Sequence, residues 1–480
     1  DGLRRTRLEA PAAELRLENL DIELRAATRL ELATLRFEPA RLAARAAALQ
    51  LDAQRIDLAS MTAQAELAGS ADAQSLALEV DGAGVVLRAS AAFRAGLPEY
   101  ELLEARLEFG PARLPSALAG ALIPGFDLRA GALELAPARW PPRSSTALGG
   151  RITGLSLTTP EATLTELDAR LGLTFDAADA RLAIDDGRLG ALEIATVRAE
   201  RARFSLRGRL PAWGPAAVGA GAMPERLAVT ALELRSEHLV ADAGRVDALL
   251  VTGSGRVDGT GVAASLDVSA PTLSATVPAS DLHCALALQD ETLGLRNCGL
   301  ALLGGEVEIP AATIELATLD GYLPVALRGL DLGAVLLLMQ DDALTGDGVL
   351  DGALPVRLRS GVPTVRDGYV GARPPGGRLR YAADAALLER LNQPGLSLAM
   401  AALGDFRYRE LGAFVDYETD GTLGLRVRLA GASPRVENGR AIDFNLTVTQ
   451  NLPLLLQSLR LSQTIGEAIE RRLEERTAPR

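Results

Sequence analysis

From Glu14 to about Val448, aliphatic and polar residues alternate in a short pattern that returns again and again. It reads Glu14-Leu15-Arg16-Leu17-Glu18 near the start, Arg170-Leu171-Gly172-Leu173-Thr174-Phe175 in the middle, and Gly424-Leu425-Arg426-Val427-Arg428-Leu429 near the end. Successive side chains of a strand point to opposite faces, so each copy predicts a strand with one apolar and one wet face. Turn material such as Asp81-Gly82, Asp186-Gly187, Gly253-Ser254-Gly255, Asp258-Gly259 and Asp320-Gly321 separates the copies and predicts antiparallel pairing between sequence neighbours. Roughly 30 strands at ~4.8 Å each run about 140 Å, and strand twist curls an open sheet of that size. The predicted class is all-β, a long and mostly antiparallel curled sheet.

The rhythm breaks in a few places. Gly110 to Gly125 and Pro211 to Pro224, the second with Trp213, read as loops or caps over the sheet edge. Toward the C-terminus short amphipathic helices appear. Asp331 can cap one carrying Leu332, Val335, Leu336 and Met339, and Asp384 a second carrying Leu387, Leu388 and Leu391. Leu396, Ala399, Met400 and Leu403 form a third stopped by Gly404, and Leu452, Leu455, Leu456 and Leu459 a fourth. Thr464 to Leu473 opens a final charged helix in capping-box spacing. All are too short to stand alone and are expected to lie on the apolar face or plug the end of the sheet.

Composition sharpens what the apolar face is. Of 480 residues 48% are hydrophobic but only 4% aromatic, so the face is lined by Leu, Val, Ile and Ala. A β-sandwich ordinarily fills its core with more aromatic volume. All 50 basic residues are Arg, and they alternate with carboxylates under a net charge of −12. That spread argues against nucleic acid and against a polybasic hold on anionic lipid. No stretch approaches the ~20 apolar residues of a membrane span. The chain opens on Asp without a signal peptide and is expected to be a mature or truncated piece.

Candidate chemistry is sparse. His238 and His283 sit in different strands with no triad context, and no C-x-x-C or His cluster suggests zinc. The glycines at 253, 255 and 259, and at 346, 348 and 352, have the wrong spacing for a dinucleotide loop. Asp341, Asp342, Asp347 and Asp351 fit no EF-hand spacing and read as turn punctuation. No enzyme site and no cofactor site emerges. A hairpin with its loop at Asp290 to Thr292 sets Cys284 and Cys298 opposite each other, at disulfide reach. The pair reads either as a bridge, pointing to an oxidising compartment, or as two small buried hydrophobes.

An aliphatic face must be buried against itself, a second layer or a ligand. Closure as a sandwich is one solution. A U-shaped trough is the other, and it leaves an apolar channel suited to acyl chains. In that reading the inward residues include Leu171, Leu173, Phe175, Leu182, Ile184, Leu266, Val268, Leu293, Leu295, Leu425, Val427 and Leu429.

The C-terminal third carries a resemblance. Leu-Asp-Leu-Gly-Ala-Val-Leu-Leu-Leu at 330–338 is followed by Leu-Thr-Gly-Asp-Gly-Val-Leu-Asp-Gly-Ala-Leu-Pro-Val-Arg-Leu at 344–358 and Val-Arg-Asp-Gly at 365–368. Then come Ala-Leu-Gly-Asp-Phe-Arg-Tyr at 402–408, Gly-Thr-Leu-Gly-Leu-Arg-Val-Arg-Leu-Ala-Gly-Ala-Ser-Pro at 421–434, and Phe-Asn-Leu-Thr-Val-Thr-Gln-Asn-Leu at 444–452. This succession, over roughly 320–460, resembles the C-terminal domain of the YdbH-like family of AsmA-like bridge proteins. One departure is Ala432-Ser433-Pro434, where the pattern has Asn before Pro.

The resemblance implies a taco-shaped sheet with a U-section groove. It implies phospholipid passage between the inner and outer membranes of a Gram-negative bacterium, through the periplasm. It implies a continuous groove segment over 1–320, a C-terminal domain over 321–461 and a charged tail over 462–480. It also implies an inner-membrane anchor, not present in this chain, and a small outer-membrane lipoprotein that adds strands at the C-terminal edge through Phe444, Leu446 and Val448. An assembly factor that presents the same edge without carrying lipid is the alternative.

Overall fold

The computed structural model describes residues 7–10, 13–18, 21–25, 30–31, 36–45, 48–51, 54–57, 62–70, 73–82, 85–93, 100–109, 127–140, 142–159, 162–219, 224–242, 244–259, 261–338, 343–382, 394–436 and 439–454. The fold is all-β: a large antiparallel sheet, not closed into a barrel, with few short helices. Among the described residues the helices are Pro215–Gly219, Leu332–Leu337 and Pro394–Leu403. None in the described residues is long and apolar enough to cross a membrane. The chain divides into two compact units, Asp1–Asp242 with Leu250–Val262, and Ala243–Leu249 with Ala263–Arg480.

In the first unit a four-stranded antiparallel sheet joins Arg7–Ala10, Ala13–Glu18, Ala48–Leu51 and Gln54–Asp57. The larger ladder lengthens along the chain, from nine residues in Gln74–Gly82 to 14 in Ala162–Phe175 and 15 in Ala180–Ile194. Residues directly opposite in an antiparallel pair share a face. One rung on the wet face therefore runs Glu79, Arg88, Arg106, Glu134, Arg151, Arg170, Asp185 across seven strands. Its ion pairs include Arg88–Glu79 at 3.0 Å and Arg106–Glu134 at 2.6 Å. These side chains are largely exposed, so each pair adds little to stability and the rung is a solvated face.

Many strands bend in the middle. Gly154, Glu166, Asp186, Arg201, Asp281, Asn297, Gly329 and Asp367 hold φ between 48° and 69° within strands. Register shifts accompany several of them, as between Ile152 and Leu155, Ile184 and Gly187, Leu327 and Leu330, and Val365 and Gly368. These are β-bulges, which kink a strand and sharpen its twist. They correct one sequence reading. Asp186-Gly187 is not a turn but a bulge inside Ala180–Ile194, because the left-handed tolerance of Asp and Gly serves a bulge as well as a hairpin. Gly253-Ser254-Gly255 likewise lies inside the strand Gly244–Asp258.

A bulge frees a backbone N–H, and neighbouring side chains capture several of these. Asp168 Oδ1 accepts from Gly154 N at 2.8 Å, Asp351 Oδ1 from Gly329 N at 2.9 Å, and Asp416 Oδ1 from Asp367 N at 3.0 Å. Ser156 Oγ accepts from Glu166 N at 3.1 Å.

The second unit carries the helices that the sequence places near its end. Asp331 caps Leu332–Leu337, its carboxylate accepting from Ala334 N at 3.0 Å. Pro394–Leu403 ends where Gly404 N donates to Met400 O at 3.0 Å. A helical turn starts at Leu452, with Asn451 Oδ1 accepting from Leu454 N at 3.1 Å. Met339, the helix expected after Asp384 and the one from Thr464 lie outside the described residues, as does Gly110 to Gly125.

Cys284 and Cys298 form a disulfide with their Cα atoms 4.0 Å apart. Gln289 pairs with Thr292, so the loop is Asp290-Glu291, and plain register would set Cys284 against Asn297. The bulge at Asn297 shifts the register so that Cys298 meets it instead.

Two outcomes test this account. Replacing both cysteines by Ser is expected to lower stability by about 3 kcal/mol, the chain-entropy value for a loop of this length, in chemical denaturation. Asp351 is held below the usual carboxylate range by hydrogen bonds from Arg373 and then from Gly329 N. A depressed folded pKa gives stability that is present above the ordinary value and lost as pH falls through the folded one. Asp351→Asn should therefore flatten the acid limb of a pH–stability profile below about pH 4 and cost about 1 kcal/mol at neutral pH.

Candidate functional site

The apolar face is assembled by register. In the first unit Leu171 lies opposite Ile184, which lies opposite Leu206, which lies opposite Leu232. Leu148, Leu173 and Leu182 form the next column, and Phe175 meets Ala180 and Ala180 meets Leu210 at the strand ends. In the second unit Leu266, Leu286 and Leu295 align, as do Leu288, Leu293 and Ile314. Val268 stands opposite Cys284, which puts the disulfide on this face.

The columns are not sealed. Leu171, Leu173, Leu182, Ile184, Leu266, Val268, Leu293 and Leu295 are all half-buried. A sandwich core would bury mid-strand Leu and Ile almost completely. Two clusters are closed, and a few other strand residues such as Leu189 and Leu249 are buried as well. In the first unit Phe175, Ala180, Leu210 and Val218 form a closed cluster, with Trp213 packed on Phe175 at a centroid distance of 5.8 Å. The described part of the Pro211 to Pro224 segment, Pro211 to Gly219, thus covers strand ends, placing Val218 of Pro215–Gly219 into that cluster.

In the second unit the cap is larger. Leu330, Leu332, Leu350, Leu379, Phe406, Tyr408 and Leu429 form a core, with Val335, Leu336 and Leu403 of the helices packed against it. Tyr408 donates its hydroxyl to Asp347 O at 2.6 Å, and burial pushes that hydroxyl up to about 12. Gly348, at φ 145°, leaves the room this ring needs: a Cβ there would collide with the hydroxyl. The helices therefore do plug part of the apolar face.

The plug divides the residues read as groove and edge. Leu425 lies opposite Val448, Val427 opposite Leu446, and Leu429 opposite Phe444. Groove and edge residues thus share one face of adjacent strands. Leu429 is 3% exposed, and Val427 and Phe444 pack against the same core, Phe444 edge-on to Phe406 at 5.2 Å. This chain's own side chains cover those three, while Leu446 is 40% exposed. The strand Ala441–Asn451 pairs with Thr422–Ala432 and with no second strand among the described residues.

Nothing in the described residues groups three or more potential metal ligands. His283 Nδ1 lies 3.1 Å from Asp281 O at a bulge. The break in alternation at Pro211 with Trp213 marks the first cap in the sequence, whereas the packing of Trp140 and Leu148 against the same cluster is not legible there, because they lie far from Trp213 in the chain.

Covered and uncovered positions should respond differently to truncation. Leu429→Ala is expected to cost about 3 kcal/mol, and Leu295→Ala less than about 1.5 kcal/mol, in urea unfolding. Equal losses would mean that both sit in closed cores.

A family model described as YdbH-like, intermembrane phospholipid transport protein YdbH, matches residues 5–474. The match reaches well beyond the C-terminal third that carried the resemblance. A search of curated proteins finds no match. With a model covering nearly the whole chain and an open antiparallel sheet beneath it, the chain belongs to the YdbH-like family of intermembrane phospholipid transport proteins.

Proposed function

We propose that the uncovered aliphatic columns are a track on which phospholipid acyl chains cross the periplasm, with head groups left in water. The observation that carries this reading is the partial exposure of Leu171, Ile184, Leu266 and Leu295 at mid-strand, where the cores of the caps are buried. Each CH₂ moved from water to such a face gains about 0.8 kcal/mol, so a 16-carbon chain gains on the order of 10 kcal/mol. A lining of similar aliphatic side chains offers no position much better than its neighbours, and a chain can slide. The mid-strand bulges supply the bend that makes a trough from a sheet. Such a track involves no covalent chemistry and sets no direction, which must come from the lipid gradient or from other components.

The strand Ala441–Asn451, whose outer edge pairs with no second strand among the described residues, suits a partner that adds a strand, such as a small outer-membrane lipoprotein, and its Leu446 would face that partner's apolar residues. An anchor preceding this chain would tie the other end to the inner membrane. In the rival reading, an assembly factor, the edge is the working part and the apolar columns carry nothing.

Photocrosslinking residues placed at Leu171 and Leu295 separate the two. Phospholipid adducts at both positions are expected. Protein adducts alone, or none, would favour the assembly factor.

A further inference from the structure

The first unit has a site on this face where the lining is not uniform. Tyr100 lies opposite Trp140 and Leu102 opposite Ala138, at the ends of their strands. With Leu135 and Leu148 they enclose a small pocket of about 80 Å³. Leu148 and Leu135 belong to the apolar face described above: Leu148 aligns with Leu173, and Leu135 with Gly150 and so with Leu171. The pocket wall is continuous with the closed cap, since Trp140, Leu148, Leu173 and Trp213 all pack against the cluster of Phe175 and Leu210. Both tryptophans of the chain are thus gathered at one rim of the face.

Resting on the lipid-track reading, we propose that this pocket takes the terminal segment of an acyl chain and makes a holding station on an otherwise slippery track. The size decides the occupant. About 80 Å³ is room for roughly three groups of water or methylene size, too little for a head group or for a large side chain of a partner. The chemistry agrees. Leu102, Leu135, Ala138 and Leu148 offer no hydrogen-bonding side chain, and the ring faces of Tyr100 and Trp140 are apolar. Water would find few polar partners there, so the pocket favours hydrocarbon. Leu135 is 44% exposed and Tyr100 39%, so the mouth is open toward the face along which the chain would slide. Trp140, backed by the cap, is a fixed wall against which a chain end can stop.

The two tryptophans make the test direct. In Trp213→Phe, which keeps an aromatic ring on Phe175, Trp140 is the sole tryptophan emitter. The variant is equilibrated with vesicles of phosphatidylcholine brominated either near the acyl terminus or near the carbonyl. Bound lipid is measured on the same samples by mass spectrometry. Terminal bromines are expected to reach contact distance and remove roughly half of the Trp140 emission or more, and bromines near the carbonyl much less. Ala138→Phe, which fills the pocket, should remove that quenching while leaving the amount of bound lipid unchanged. Lipid bound without quenching of Trp140, or quenching that survives Ala138→Phe, would overturn the pocket and leave the track standing. No bound lipid in any sample would overturn both.

Discussion

An antiparallel pair holds directly opposite residues on one face, and a slip of one residue would carry each aliphatic side chain to the wet side. Leu171, Ile184, Leu206 and Leu232 form a column only while three successive registers hold. The charged rung from Glu79 to Asp185 shares one of these registers, that between Ala162–Phe175 and Ala180–Ile194, and depends in the same way on those of the preceding strands. Like charges such as Arg88 and Arg106, or Arg151 and Arg170, stand opposite each other among the unlike pairs, so the rung adds solubility more than stability. The apolar column and the charged rung are two views of a single constraint.

That constraint, with strand twist, would give an evenly twisted and slippery ribbon. The bulges change it, because each inserts a residue and bends its strand without ending it. A bulge exposes a backbone N–H, and Asp168, Asp351 and Asp416 show how the cost is offset: a carboxylate on the next strand accepts it. The caps then decide where the apolar face is shut. Phe175 with Trp213 shuts a strand end in the first unit, and the helix Leu332–Leu337 with Tyr408 and Leu429 shuts part of the second. Away from the cap of each unit the aliphatic residues named above stay partly exposed, the arrangement that the proposed track needs.

Much of this was legible from period alone. Alternation gives strands and their apolar faces, and Asp331 before Leu332, Val335 and Leu336 gives the capped helix as found. Parity within a strand, however, says nothing about what covers it. Leu425 and Leu429 look alike in the sequence, yet Leu429 lies in the core and Leu425 is only half-buried. The difference comes from helices and from Phe406 and Tyr408, which reach Leu429 only through tertiary packing. Asp186-Gly187 was misread for a related reason. Left-handed backbone is a local property, but whether it turns a chain or bulges it depends on the neighbouring strand. The bridge between Cys284 and Cys298 needed such a bulge, at Asn297, which spacing alone does not reveal.

The central claim is that hydrocarbon from phospholipid covers the open columns. Native mass spectrometry of the chain purified from envelope membranes, after detergent removal, weighs that occupant directly. The account predicts a folded protein carrying phospholipid, more than one molecule per chain. A folded protein that carries none, with its aliphatic columns as exposed to deuterium exchange at neighbouring amides before lipid extraction as after it, would contradict the account.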